Sequence, residues 1–192
     1  MFEICDLCKV LSNPLRLELL AHIYQSKDGL NFGYIADKMH RSKLCASGVS
    51  QYLRELVRLG IVRRCREGIN VNYYADLSHA TKPIAEIVAL IIAQMKKSEN
   101  RDFAGIFPVL MNPFRANVVR MLAQKGSLTA ETICIKTNHH LQCHLRRDLR
   151  LALEIGIISS DEDDDMPYAS YRYNPPKNPI ISRMMELLTK AH

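Results

Sequence analysis

Two clusters in this 192-residue chain carry the side chains of a metal site. Cys5 and Cys8 form a Cys-x-x-Cys, Cys45 and Cys65 lie in the same half, and three thiolates within reach of one another would suit a soft metal ion. In the second half, His139-His140-Leu141-Gln142-Cys143-His144 puts His140 and His144, or His139 and Cys143, four residues apart on one helix face. Neither cluster is complete. A cysteine pair inside an apolar helix packs as two small hydrophobes, and the histidines lack a third and fourth ligand at matching spacing. No metal and no cofactor is therefore expected. The alternative is a thiol-bound metal or redox effector, with Cys5, Cys8, His140 and His144 as candidate ligands. Catalysis is not expected either, because the chain has no Gly-rich phosphate loop, no Gly-x-Ser-x-Gly and no His-Glu-x-x-His.

A third cluster suits a polyanion. Over residues 47–59 the apolar Val49, Leu53, Leu56 and Val57 recur at helical spacing, which leaves Ser47, Gly48, Ser50, Gln51, Arg54 and Arg58 facing outward. Short hydroxyl side chains at a helix start, followed by glutamine and arginine about a turn apart, are what base edges and phosphates in a major groove require. Ser47, Ser50, Gln51 and Arg54 are the candidate DNA-reading residues. Gly60 stops this helix. Residues 61–66 and 71–75 read as two strands joined by Glu67-Gly68-Ile69-Asn70. Arg63, Arg64 and Arg66 on the first strand are candidate contacts to flanking phosphates, against the plainer reading of an exposed strand kept soluble by charge.

The elements that must hold this face come before and after it. Asn13 suits a helix N-cap and Pro14 the first helical position. Leu15, Leu19, Leu20 and Ile23 form the buried stripe of that helix, and Gly29 is its expected end. Ile4, Leu7, Val10 and Leu11 mark a short helix ahead of it, and Phe32, Ile35, Ala36 and Met39 mark another over 32–39. Residues 83–97, with Ile84, Ile87, Val88, Ile91, Ile92 and Met95, close the set with a strongly apolar helix that needs a partner. Helices leading into a helix-turn-helix, then a basic hairpin, spell a winged helix.

The chain then repeats itself. Ser12-Asn13-Pro14-Leu15-Arg16 is answered by Met111-Asn112-Pro113-Phe114-Arg115, and Leu59-Gly60-Ile61-Val62 by Ile155-Gly156-Ile157-Ile158. The first match is 99 residues apart (115 − 16) and the second 96 (156 − 60), so the first copy has three extra residues, expected in the turn at 41–45. The fold class is mainly α with small β-hairpin wings, as two tandem winged helix-turn-helix domains over 1–98 and 99–192. In the second copy, Leu141, Leu145, Leu149 and Leu153 keep the helical spacing. Arg146, Arg147 and Arg150 replace Ser50, Gln51 and Arg54, making a possible second DNA face suited more to phosphate than to bases. The corresponding hairpin carries Asp161-Glu162-Asp163-Asp164-Asp165, which repels a phosphate backbone. That run lacks the Gly and distal Glu of a calcium loop and reads as solvated. Residues 177–190 supply the second closing helix, with Ile180, Ile181, Met184, Met185, Leu187 and Leu188.

In the first copy, Leu11 to Leu20 around Ser12-Asn13-Pro14-Leu15-Arg16, then Ser47-Gly48-Val49-Ser50-Gln51-Tyr52-Leu53, Leu59-Gly60-Ile61-Val62 and Tyr73-Tyr74 resemble the arsenic-repressor (ArsR-like) family of bacterial winged-helix regulators. The resemblance covers most of residues 4–97. It implies a DNA-binding repressor, and homodimers whose first and last helices form the interface. The cysteine pair with which relatives bind metal in the helix-turn-helix is absent here. A joint of only Ser98-Glu99-Asn100-Arg101-Asp102 between copies suggests an intramolecular pseudo-dimer, with a homodimer as the alternative.

Charge agrees with a nucleic-acid partner. The net charge of +6 divides into +5 for residues 1–98 and +1 for 99–192, where the acidic run masks an otherwise basic half. The start of the chain lacks the basic stretch and long apolar run of a secretory signal. Its longest apolar stretch, 84–95, is broken by Glu86 and Gln94 and too short for a bilayer. A cytoplasmic protein with six reduced cysteines, no membrane contact and double-stranded DNA as partner is expected. The rival is a tandem winged-helix protein-interaction scaffold that has lost sequence-specific DNA reading.

Overall fold

The structure, a computed structural model, describes residues 2–97, 105–138, 142–161 and 169–190. The chain divides into two compact units: an N-terminal unit, Val10–Arg101, and a C-terminal unit, Asp102–His192, with which Met1–Lys9 is grouped. The expected boundary at 98/99 lies outside the described residues. After α1 (Phe2–Leu11), the N-terminal unit runs α2 (Pro14–Gln25), β1 (Leu30–Asn31), α3 (Phe32–His40), α4 (Ala46–Arg58), β2 (Val62–Glu67), β3 (Asn70–Ala75) and α5 (Lys82–Lys97). The C-terminal unit follows the same order with α6 (Phe107–Leu110), α7 (Pro113–Lys125), β4 (Ser127–Thr129), α8 (Ala130–Thr137), α9 (Gln142–Glu154), β5 (Ile158–Ser160), β6 (Ser170–Tyr173) and α10 (Pro179–Lys190). Among the described residues the fold is mainly helical, with two three-stranded antiparallel sheets ordered β1-β3-β2 and β4-β6-β5.

Local chemistry starts the helices in matching ways. Asn13 Oδ1 accepts the Leu15 N–H at 2.9 Å ahead of Pro14, and Asn112 Oδ1 accepts the Phe114 N–H at 2.9 Å ahead of Pro113. Asn31 and Thr129 cap α3 and α8 through the N–H groups of Gly33 and Thr132. α2 departs from the expected stripe: Leu17 is buried with Leu19, Leu20 and Ile23, while Leu15 is only half-buried. The reason is that α2 packs against both β3 and α5, so its apolar residues spread over more than one side. It also ends at Gln25, with the Ser26 N–H bonded to the Ile23 carbonyl, not at Gly29. Gly29, at φ +75°, instead lets the chain pass under Tyr74, where a Cβ would lie 2.5 Å from the ring.

The strand ahead of the third helix is a feature the periodicity did not predict. Two or three residues are too few to show alternation, and only the partner strand makes them a strand. Leu30 pairs with Tyr73 in one unit and Leu128 with Tyr171 in the other, both tyrosines being buried. These leucines are 98 residues apart (128 − 30), so the three-residue surplus does not all lie at 41–45. One residue enters between α2 and β1 and two between α3 and α4. The cores are formed by Val49, Leu53, Leu56, Ile61 and Val62 in one unit and Leu145, Leu149, Ala152, Ile157 and Ile158 in the other. In the α9 stripe Leu153 is half-buried, its place in the core taken by Ala152, and Leu141 lies outside the described residues. The apolar residues of α5 (Ile84, Ile87, Val88, Ile91, Ile92) and α10 (Ile180, Met184, Met185, Leu188) are buried.

Candidate nucleic-acid interface

α4 has one fully buried row, Val49, Leu53 and Leu56, and a polar row opposite it. Ser47, Gln51 and Arg54 are exposed and Ser50 is half-buried. Arg58 is held by Glu55 at 3.0 Å. Gln51 and Arg54 have no side-chain hydrogen bond or ion pair among the described residues, so both are available to a ligand.

The helix is anchored by Tyr52, which points back to the start of α2. Asn13 Nδ2 donates to its hydroxyl at 3.0 Å, and the Arg16 guanidinium lies 4.6 Å from its ring centroid while Nη1 donates to the Val10 carbonyl. The second unit uses the same arginine differently. Arg115 Nε donates at 2.7 Å to the carbonyl of Asp148, the residue at the Tyr52 position, and Nη1 donates to the Pro108 carbonyl. Sequence reasoning treated Asn-Pro as a helix start and missed this clamp. Its signal was the arginine repeated two residues after each proline.

The hairpin separates its three arginines. Paired residues of β2 and β3 share a face, so Arg63 stands with Tyr74, and Arg64 and Arg66 with Tyr73 and Val71. Arg63 is committed to the protein: its Nε is 3.2 Å from Asp76 Oδ2 and its guanidinium lies 5.1 Å from the Tyr74 ring centroid. Asp76 is held below the usual carboxylate range by hydrogen bonds from Ser78, with Arg63 adding to the effect. Tyr74 donates to Glu67 at 3.0 Å, which raises its own pKa. Arg66 Nε donates to the Gly68 carbonyl. Arg64 has no such commitment among the described residues. It lines an open cleft of about 330 Å³ with Ser50 of α4, Asn31 and Gly33 at the start of α3, and Asn70 and Val71 of β3.

The second unit places its arginines beside its own carboxylates. Arg150 Nε is 2.6 Å from Glu154, Arg147 is 3.9 Å from Asp148, and Arg172 of β6 is 2.8 Å from Asp161. Arg146 is half-buried. Residues 162–165 of the acidic run lie outside the described residues.

Of the metal candidates, Cys5 and Cys8 lie buried in α1. Burial pushes the Cys5 and Cys8 thiols up, Cys8 the further, which disfavours the thiolate a metal binds. His139 and His140 lie outside the described residues, and His144 is half-buried. No group of three or more His, Cys, Asp or Glu residues stands together as a metal site among the described residues. Cys45, by contrast, is exposed at the head of α4, and the Ser47 hydroxyl lowers its thiol pKa. Cys8→Ala should cost about 1 kcal/mol in urea unfolding, the scale of a small core deletion. Zinc added to the reduced protein should leave the melting temperature of both forms unchanged. A zinc-dependent rise in wild type alone would make the pair a ligand set.

No family model, curated protein or solved structure matches the chain. Among the described residues, no helix is long and apolar enough to cross a membrane.

Proposed function

We propose that the chain is a sequence-specific double-stranded DNA-binding transcriptional regulator, a repressor of the arsenic-repressor-like kind, built from two winged helix-turn-helix modules and acting in the cytoplasm without catalysis or cofactor. The observation that supports it most is the outer row of α4, where Gln51 and Arg54 have no side-chain partner among the described residues, beside a hairpin whose Arg64 likewise has none among them. Amide and guanidinium groups held in this way form bidentate hydrogen bonds to purine edges, and an unpaired guanidinium binds phosphate.

The test is affinity selection of genomic fragments by the reduced, full-length protein at near-physiological salt, followed by sequencing. An enriched element is expected, and its symmetry would distinguish one chain from two on the site. Arg64→Ala should weaken all sequences alike and reduce the salt slope by about one, whereas Arg63→Ala should leave the slope unchanged. Retention that is nonspecific and vanishes with salt would reject the proposal. A second reading, a protein-interaction scaffold, is favoured for the C-terminal unit alone by the pairing of Arg147, Arg150 and Arg172 with carboxylates of that unit.

A further inference from the structure

Leu59-Gly60-Ile61 and Ile155-Gly156-Ile157 are the same turn in the two units, yet they are covered differently. Leu59 is 8% exposed and Ile155 38%. In the N-terminal unit the loop over 76–81 lies against the turn, so that a Cβ on Gly60 would meet the His79 carbonyl oxygen at 2.5 Å. In the C-terminal unit the loop over 174–178 is one residue shorter, and a Cβ on Gly156 would meet nothing within 4 Å. The space left open is a cleft of about 300 Å³, at the lower end of the sizes that hold small ligands. The buried Ile106 and Ile157 lie at its base, and Ile155, Ile181, Pro175 and Pro176 line it nearer to solvent. The two consecutive prolines fix φ and so stiffen the loop that stands off Gly156.

The uncommitted polar groups of the cleft are of one kind. Asn174 is held within the unit, donating to the Gly156 carbonyl and accepting from the Ser159 hydroxyl. Asn178 Oδ1 accepts the Ile180 and Ile181 N–H groups at the start of α10, which leaves its Nδ2 a donor without a partner among the described residues. Lys177 is exposed and has no ion pair among them. No described Asp or Glu lines the cleft.

We infer that this cleft binds a small monocarboxylic acid, with its apolar body among the isoleucines and prolines and its carboxylate against Lys177 and Asn178. The volume sets the size of the occupant: a helix, about 10–12 Å across, does not enter it. The donors set its charge. One ammonium and one amide suit the two oxygens of a carboxylate, whereas a phosphate or sulfate would press its remaining oxygens against aliphatic walls that offer them no hydrogen bond. The inference concerns the C-terminal unit alone and is independent of the DNA-binding reading.

The experiment is an NMR titration of the full-length protein carrying ¹³C-labelled isoleucine methyl groups, assigned by single Ile→Val variants, with phenylacetate as the probe and phenylacetamide as its uncharged counterpart. Phenylacetate should shift the Ile155, Ile157 and Ile181 signals saturably and leave those of Ile84, Ile87 and Ile91 in α5 in place. Phenylacetamide should bind about tenfold more weakly. Lys177→Met should weaken phenylacetate by about the same factor and leave phenylacetamide unchanged. Ile155→Asp, at a solvent-exposed position that tolerates a charge, should abolish phenylacetate binding. No shift at millimolar phenylacetate, shifts spread over both units, or equal binding of acid and amide would overturn the assignment. Movement of the same three signals with protein concentration alone would show that a second copy of the chain fills the cleft, and would overturn it too.

Discussion

Gln51→Ala should lower affinity for the selected element by about 1–3 kcal/mol and leave binding to unrelated duplexes unchanged. Gln51 is exposed and has no protein partner among the described residues, so its removal costs the free protein nothing. The whole loss appears in the complex, where an adenine edge would go unread. Arg54→Ala should differ in a measurable way. Removing a positive charge weakens the element and the unrelated duplexes together, with an additional loss on the element if the guanidinium also reaches a base. Fluorescence anisotropy titrations on both DNAs at two salt concentrations separate the two behaviours. Equal losses on all sequences for Gln51→Ala would reject base reading by that residue.

Gly60→Ala should destabilise the protein by at least about 3 kcal/mol, and Gly156→Ala by about 1 kcal/mol. The two glycines follow α4 and α9 and share the left-handed conformation, φ +69° and +75°. That conformation penalises any Cβ by a similar amount in both places. Their surroundings differ. A Cβ on Gly60 would lie 2.5 Å from the His79 carbonyl oxygen, a backbone atom that cannot swing aside, whereas on Gly156 it would meet nothing within 4 Å. Because Gly60 joins α4 to β2, the variant should also displace the hairpin from the helix and weaken DNA binding more than its stability loss alone explains. Urea unfolding of the two variants checks the first point, and affinity well below the unfolding midpoint checks the second. Equal destabilisation would mean that backbone strain, not the His79 contact, sets the cost at Gly60.

The internal repeat, the Asn-Pro helix starts and the two faces of α4 could be read from the chain because each is a local property. A cap needs only its own turn, and a 3.6-residue period names a buried row without reference to its neighbours. β1 could not be read this way, since Leu30 and Asn31 become a strand only through Tyr73 and Asn72, more than forty residues away in sequence. The clamp on Tyr52 was hidden for the same reason: Asn13 and Tyr52 are 39 residues apart, and nothing near either one announces the other.

The arginines mark the limit most sharply. Sequence placed Arg63, Arg64 and Arg66 on one basic strand and Arg146, Arg147 and Arg150 on one helix face. It left them equivalent within each group, because charge and spacing say where a side chain starts, not what it meets. Tertiary packing turns Arg63 to Asp76 and Tyr74 and leaves Arg64 in the cleft beside Ser50, while Arg150 meets Glu154 one turn further along its own helix. A guanidinium already paired must give up that partner to bind phosphate, whereas an unpaired one gives up only water. Net charge and periodicity thus single out where the basic side chains cluster, while the commitment of each cation is settled by which carboxylates and rings the folded chain brings within about 4–6 Å.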